Sequence, residues 1–159
     1  MRWSENEKRQ FDRHADSLKQ DEMVQQMKNY VQHGNISTYE HCLHVAQISF
    51  IINRKLGLKC DEKALITGAM LHDFFLYDWH DKDKEEKWHQ FHHAKTAADN
   101  AEKYMNINEK ERAIIENHMW PMNLFHIPKT REEIVVSMAD KYCSTKETIF
   151  YRKKGHVAK

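Results

Sequence analysis

The chain has 159 residues, a length that fits one domain with a full hydrophobic core and leaves little room for a second. Four Gly and two Pro are too few for the frequent turns of a sheet protein, so the composition favours long helices. Lys and Arg total 25 against 24 Asp and Glu, and the net charge of +1 gives no reason to expect a nucleic-acid partner. The mean hydropathy of −0.87, with no long apolar run, argues against a membrane-spanning segment and a membrane partner.

The histidine count is the unusual feature of the composition. The chain contains twelve His. Because imidazole binds metals and titrates near neutral pH, this composition indicates a possible metal site. Three Cys without a CxxC pair indicate reduced thiols, and the first residues lack the apolar stretch of a signal peptide. We therefore expect a cytoplasmic protein.

Hydrophobic periodicity predicts helices along the whole chain. The predicted helices are residues 1–33, with a break near 17–21, and then 38–56, 62–73, 92–105, 109–119 and 131–151. The helix at 62–73 is apolar around most of its circumference, so we expect it to be central and buried. We divide the chain into an N-terminal helical segment (1–36) packed on the core, a main helical domain (37–151) and a basic tail (152–159).

Capping residues define several of these helix boundaries. Ser37 with Glu40 forms a capping box at the start of the second predicted helix, and Gly57 is the expected stop of that helix. Asn108 with Glu111 gives the same signal at the start of the helix at 109–119.

His72 and Asp73 form the sharpest local feature, because they lie near the end of the most apolar helix. A buried carboxylate is costly unless it is paired or bound to a metal. Adjacent residues on a helix point about 100° apart, so two neighbours converge on one ion only near a helix end, where the backbone can bend. The alternative interpretation is a capped helix end with Asp73 in solvent.

Helical periodicity turns four further polar residues towards the interior. They are His41, His93, His118 and Asp140, although His44 also reaches the side of the helix on which His41 lies. The helical phase places His93 on one face with Ala97 and Ala101, while His92 lies on the polar face. Each residue alone fits a core histidine with its hydrogen bonds made, or an acid that pairs two helices. A metal centre shared by five helices would satisfy all of them together.

The order of these residues resembles the HD-domain superfamily of metal-dependent phosphohydrolases, over roughly residues 38–151. The strings that carry the resemblance are Tyr-Glu-His-Cys-Leu-His-Val-Ala at 39–46, Gly-Ala-Met-Leu-His-Asp at 68–73, His-Ala-Lys-Thr-Ala-Ala at 93–98, Glu-Asn-His-Met-Trp-Pro at 116–121 and Ala-Asp-Lys at 139–141. The string Phe-Leu-Tyr-Asp-Trp-His at 75–80 is similar to small bacterial members. The resemblance implies an all-α fold, a single-domain HD-type helical bundle of about six to seven helices.

The resemblance also implies a set of metal ligands. The matches to the minimal set for one ion are His41, His72, Asp73 and Asp140. His93 and His118 match the extra pair of the binuclear members, so we expect two divalent transition-metal ions per chain with Asp73 bridging them. Histidine and carboxylate without thiolate suit Fe, Mn, Ni, Co or Zn, and the ligand set does not choose among these metals.

The activity implied by the resemblance is hydrolysis of a phosphoester or phosphoanhydride of a small molecule, with a nucleotide as the expected substrate, by a metal-bound hydroxide. Asp73 and Lys141 are the expected catalytic residues, and Lys141, Trp120 and His80 are the expected substrate-binding residues. For Lys141 the alternative is a lysine in solvent, and for Trp120 and His80 it is a place in the core.

Two other functions are compatible with the same residues. The first is a di-iron oxygenase of the same superfamily, which dioxygen consumption by the iron-loaded protein would distinguish. The second is a metal- or nucleotide-binding module without turnover. Neither the identity of the substrate nor the oligomeric state follows from the sequence.

Overall fold

The computed structural model describes residues 3–33, 35–77, 89–124 and 126–155, and these residues fold mainly as helices. The helices are α1 (Glu5–Gln20), α2 (Glu22–Gln26), α3 (Thr38–Leu56), α4 (Glu62–Leu71), α5 (His89–Met105), α6 (Glu109–Asn117) and α7 (Arg131–Gly155). A 3-10 turn (Met27–Asn29) precedes a short antiparallel hairpin of β1 (Val31–His33) and β2 (Ile36–Ser37). The prediction of an all-α fold is confirmed.

Capping side chains begin the helices where the sequence predicts. The Ser37 hydroxyl accepts a hydrogen bond from the Glu40 backbone N–H at 3.2 Å, and the Glu40 carboxylate accepts one from the Ser37 N–H at 2.9 Å. Asn108 and Glu111 form the same reciprocal pair at the start of α6. Gly57 ends α3 with a φ of +61°, a left-handed conformation that glycine adopts without strain.

The helix α4 is the centre of the fold, as its apolar circumference predicts. Its residues 64–71 are all buried, and it packs against α1, α3 and α6. Phe11 of α1, Phe50 of α3 and Leu65 of α4 belong to one hydrophobic core. The C-terminal end of α4 therefore lies in the middle of the bundle. Among the helices of the described ranges, none combines the length and apolar composition needed to cross a membrane.

The segment before α3 differs from the predicted helix over residues 1–33. The first helix ends at Gln20, within the break predicted near residues 17–21, but after α2 the chain forms the hairpin, in which Val31 lies opposite Ser37. Strands of three and two residues are too short to produce a two-residue hydrophobic alternation, so periodicity gives no sign of them. The hairpin carries Gln32 to the inner end of α4.

Two helices that end near the centre of the bundle are shorter than predicted. α4 ends at Leu71 and α6 ends at Asn117, so that His72 and His118 are their C-cap residues. Each imidazole donates from Nδ1 to the backbone carbonyl three residues earlier, and so satisfies an acceptor that the helix end leaves free. The chain therefore leaves the helix at each histidine.

Two other boundaries lie beyond the predicted ones. α5 begins at His89 rather than at residue 92, and α7 continues to Gly155. The first residues of the predicted basic tail are thus helical, and residues 156–159 lie outside the described part of the chain.

Candidate metal centre

Six side chains converge between five helices. They are His41 of α3, His72 and Asp73 after α4, His93 of α5, His118 after α6 and Asp140 of α7. Each is buried, with at most 8% of its surface exposed. His93 faces the interior and its neighbour His92 is exposed, as the phase of α5 predicts. The structure therefore brings together all six residues that the sequence marks as ligands.

Asp73 lies at the centre of the cluster, and its two carboxylate oxygens face different histidines. Oδ2 lies 3.3 Å from His72 Nε2 and 3.9 Å from His41 Nε2. Oδ1 lies 3.5 Å from His93 Nε2 and 3.6 Å from His118 Nε2. One carboxylate thus borders two separate pairs of imidazole nitrogens.

Asp140 lies on the side of the cluster that His41 and His72 form. Its Oδ1 lies 3.3 Å from His41 Nε2 and 3.8 Å from His72 Nε2. The Ser144 hydroxyl donates to the same oxygen at 3.0 Å, and the Lys141 ammonium donates to Oδ2 at 3.2 Å. These hydrogen bonds hold the carboxylate of Asp140 in one orientation.

The hydrogen bonds at Nδ1 assign the tautomers of two histidines. His72 Nδ1 lies 2.8 Å from the carbonyl oxygen of Ala69, and His118 Nδ1 lies 2.6 Å from that of Ile115. A carbonyl oxygen only accepts, so each Nδ1 carries a proton and donates it. In the neutral rings the lone pair on Nε2 then points into the cluster, as a metal ligand requires.

Unsatisfied atoms in the cluster test whether the residues fit a metal. Among the described residues, His72 Nε2 and Asp73 Oδ1 are buried without a hydrogen-bond partner, although an unsatisfied buried group costs about 1–3 kcal/mol. Two ligands that share an ion at about 2.1 Å lie roughly 3.0–4.2 Å apart, and the distances around Asp73 fall in this range. The donor types and their spacing therefore fit divalent metal ions.

The potential ligands form one connected centre. Three groups of three residues have ligand atoms within 4.8 Å of one another. The groups are His41, His72 and Asp73; His72, His118 and Asp140; and Asp73, His93 and His118. Because His72, Asp73 and His118 each belong to two groups, the three sets overlap rather than forming separate sites.

The protonation of Asp73 and His118 suits metal binding. Burial opposes the charge on Asp73, but the adjacent His72 outweighs this effect and holds the pKa of the carboxyl well below its usual range. Burial, together with the charge of His72, lowers the pKa of His118 to about 3. At neutral pH Asp73 is therefore ionised and His118 is neutral, the forms in which both groups bind metals. Burial opposes the charge on His72, but Asp73 raises its pKa well above 6.5, so a metal bound there would displace its proton.

Two buried residues at the centre are missed by the sequence patterns. Glu147 accepts a hydrogen bond from His41 Nδ1 at 2.8 Å, and Gln32 donates to Asp73 Oδ2 at 2.6 Å. Burial opposes the charge on His41, but Asp140 and Glu147 raise its pKa to about 10. Glu147 lies two turns after Asp140, so the signal that identifies Asp140, an acid on an apolar stripe, also marks Glu147. Gln32 lies in the unpredicted hairpin, and the sequence carries no comparable signal for it.

The remaining expected site residues are placed as follows. Lys141 borders the cluster, because its ammonium donates to the backbone carbonyl of His118 and only 30% of its side chain is exposed. Trp120 is half-buried, and its backbone carbonyl accepts a hydrogen bond from the Ser137 hydroxyl. His80 lies outside the described residues. The substrate-binding roles of Lys141, Trp120 and His80 stay predictions.

Comparison with protein-family models agrees with this geometry. The HD domain model matches residues 38–145, more than half of the chain, and the matched region contains all six residues of the cluster. The chain belongs to the HD-domain family, whose members are mostly metal-dependent phosphohydrolases. Comparisons with curated proteins and with solved structures found no match.

Proposed function

We propose that this protein is a phosphohydrolase with a binuclear metal centre, which cleaves a phosphoester or phosphoanhydride of a small molecule, with a nucleotide as the expected substrate. The observation that carries the proposal is the position of Asp73. Its Oδ2 borders His41 and His72, and its Oδ1 borders His93 and His118. A carboxylate between two pairs of imidazoles has the position that a bridging ligand of two metals needs.

The ligands divide between two ions. The first ion would be held by His41, His72, Asp140 and Asp73 Oδ2, and the second by His93, His118 and Asp73 Oδ1. Six ligands shared by two ions leave coordination positions open for water and a substrate oxygen, as catalysis requires. When bound, the ions supply a water of lowered pKa and neutralise charge on the phosphoryl oxygens.

The charge balance of the centre favours an anionic substrate. Two divalent cations carry more positive charge than the carboxylates of Asp73 and Asp140 neutralise, and the histidines bind as neutral ligands. Lys141 adds a positive charge at the border of the cluster. In the proposed role, its ammonium exchanges the hydrogen bond to the carbonyl of His118 for one to a phosphoryl oxygen. A phosphate group matches this excess of positive charge.

A screen for phosphate release tests the reaction. The protein is loaded with Mn, Fe, Co or Ni, and each form is incubated with nucleoside mono-, di- and triphosphates. We expect phosphate release with at least one combination of metal and substrate. Dioxygen consumption by the iron-loaded protein, with no phosphate release in any combination, would refute the hydrolase and favour the oxygenase. Metal binding with neither activity would favour a binding module.

Variants of His93, His92 and Asp73 test the number of ions. We expect His93→Ala to lose the second ion and to keep partial occupancy of the first. The matched change at its exposed neighbour, His92→Ala, should keep both ions. Asp73→Ala should lose both because it removes the shared ligand. Metal analysis that gives one ion per chain at saturation, unchanged in His93→Ala, would overturn the binuclear centre without overturning the hydrolase.

A further inference from the structure

Glu147 is a buried acid that lies behind the cluster rather than inside it. Its side chain is 7% exposed, and its two oxygens contact two histidines of α3. Oε2 accepts from His41 Nδ1 at 2.8 Å, and Oε1 accepts from His44 Nδ1 at 3.0 Å. Glu147 therefore contacts the Nδ1 edge of the His41 ring, whereas Nε2 of the same ring faces Asp73 and Asp140.

The Nδ1 hydrogen bond of His41 has a different type of acceptor from those of His72 and His118. His72 and His118 donate from Nδ1 to backbone carbonyl oxygens, whereas His41 donates to a carboxylate. Hydrogen bonds to an ionised acceptor are roughly twice as strong as neutral ones. A carboxylate behind a histidine fixes its tautomer and ring orientation and makes the ring a stronger metal ligand. This arrangement distinguishes His41 from His72 and His118.

We propose that Glu147 is a positioning residue for the metal centre, which orients His41 and strengthens binding of the ion that His41, His72 and Asp140 hold. The inference rests on the proposed function, because it requires a bound metal. The effect is selective for one side of the centre. Among the described contacts, Glu147 is hydrogen-bonded to His41 and His44, and the pair formed by His93 and His118 lies on the other side of Asp73.

His44 is hydrogen-bonded to the carboxylate of Glu147 but is not one of the six residues of the cluster, so His44→Ala is a control for Glu147→Ala. Half of its side chain is exposed, and its Nδ1 contacts the Glu147 oxygen that does not face His41. Removing His44 leaves the hydrogen bond between Glu147 and His41 in place. We therefore expect the metal affinity of His44→Ala to stay within about threefold of that of the unchanged protein. Removing the hydrogen-bond partner of a metal ligand has a larger effect, about 10–100-fold.

Equilibrium binding of Co²⁺ to the full chain, measured by competition with a chelator, tests the proposal. Glu147→Ala should weaken the first ion about 10–100-fold, the usual cost of removing a hydrogen-bond partner behind a metal ligand, and should leave the second ion less affected. Glu147→Gln keeps an amide oxygen that can accept a hydrogen bond from His41 but loses the charge. Its affinity for the first ion should therefore lie between those of the unchanged protein and of Glu147→Ala. A role only in folding would not produce this graded loss of one ion.

Glu133 provides the matched control for removing a buried acid from α7. It is 2% exposed and accepts hydrogen bonds from Asn117 and Thr130, both outside the cluster. Glu133→Gln should leave both Co²⁺ affinities unchanged, whatever its effect on the unfolding temperature of the metal-free protein. If Glu147→Gln and Glu147→Ala both bind the two ions with wild-type affinity, the role of Glu147 is overturned but the metal centre is not. An unchanged chain that binds no Co²⁺ would overturn the metal centre and this inference with it.

Discussion

The close approach of α4 and α6 determines how far apart two of the proposed ligands lie. Gly68 lies one turn before His72 on α4, and Ile114 lies one turn before His118 on α6. A Cβ atom added at Gly68 would lie 2.5 Å from Ile114 Cγ2 and 2.8 Å from Ile114 Cβ. Only a residue without a side chain allows the two helices to approach this closely at that point.

Gly68→Ala should therefore destabilise the protein. An ordinary contact begins at 3.4 Å, so Ile114 or the helix axis must move by close to an ångström to accommodate the methyl group. Overpacking of this kind costs about 1–3 kcal/mol, and replacing a helical glycine by alanine returns up to about 1 kcal/mol. We expect a net loss of roughly 1–2 kcal/mol, measured by urea unfolding of the metal-free protein.

The double variant Gly68→Ala/Ile114→Ala provides the critical comparison. Ile114→Ala alone leaves a cavity and should cost about 2–4 kcal/mol. It also removes Cγ2, the nearest atom to the added methyl group, and the cavity gives the helices room to shift away from the Cβ that stays at 2.8 Å. The double variant should therefore lose at least about 1 kcal/mol less than the sum of the single losses. If Gly68→Ala instead stabilises the protein by about 1 kcal/mol, as at an unhindered helical glycine, the reasoning is wrong.

Two further predictions concern the helix that carries His41 and an acid in the first turn of α7. Ser37→Ala removes the N-cap of α3 and should lower the free energy of unfolding by about 1 kcal/mol in urea, whereas an unchanged midpoint would contradict the role of the cap. Burial raises the pKa of Glu132, but the hydrogen bonds from the backbone N–H of Asp61 and from the Lys110 ammonium lower it below 4.5. The ionised Glu132 therefore stabilises the fold above pH 4.5, and this contribution is lost as the pH falls below that value. Glu132→Gln should therefore flatten the fall in unfolding temperature on acidification, and an equally steep fall in the variant would contradict the assignment.

The sequence predicts the helices well where local chemistry determines them. The reciprocal bonds of Ser37 with Glu40 and of Asn108 with Glu111 form between near neighbours, so their spacing is visible in the chain. The phase of a long helix is similarly robust, and it distinguishes buried His93 from exposed His92. Together with the resemblance to the HD-domain superfamily, these signals identify the six residues of the cluster before their distances are known.

The remaining features depend on contacts between residues far apart in the chain. The hairpin around Gln32 has too few residues to show a strand pattern, and the partner of Gln32 is Asp73, 41 positions later. The bond between Glu147 and His41 spans 106 positions. The acid could be marked as unusual on its apolar face, but its partner could not be identified, because helix packing rather than local sequence brings the two residues together.

The electrostatics of the backbone support a cation at the centre independently of the side chains. The C-terminal ends of helices carry a partial negative charge, because their last carbonyl groups have no partner within the helix. α4 and α6 both end at the cluster, at His72 and His118. Their ends add to the negative charge of Asp73 and Asp140 in a region with little exposure to water. These charges favour a cation at the centre, whereas in the metal-free protein the proton on His41, whose pKa is raised to about 10, balances part of them.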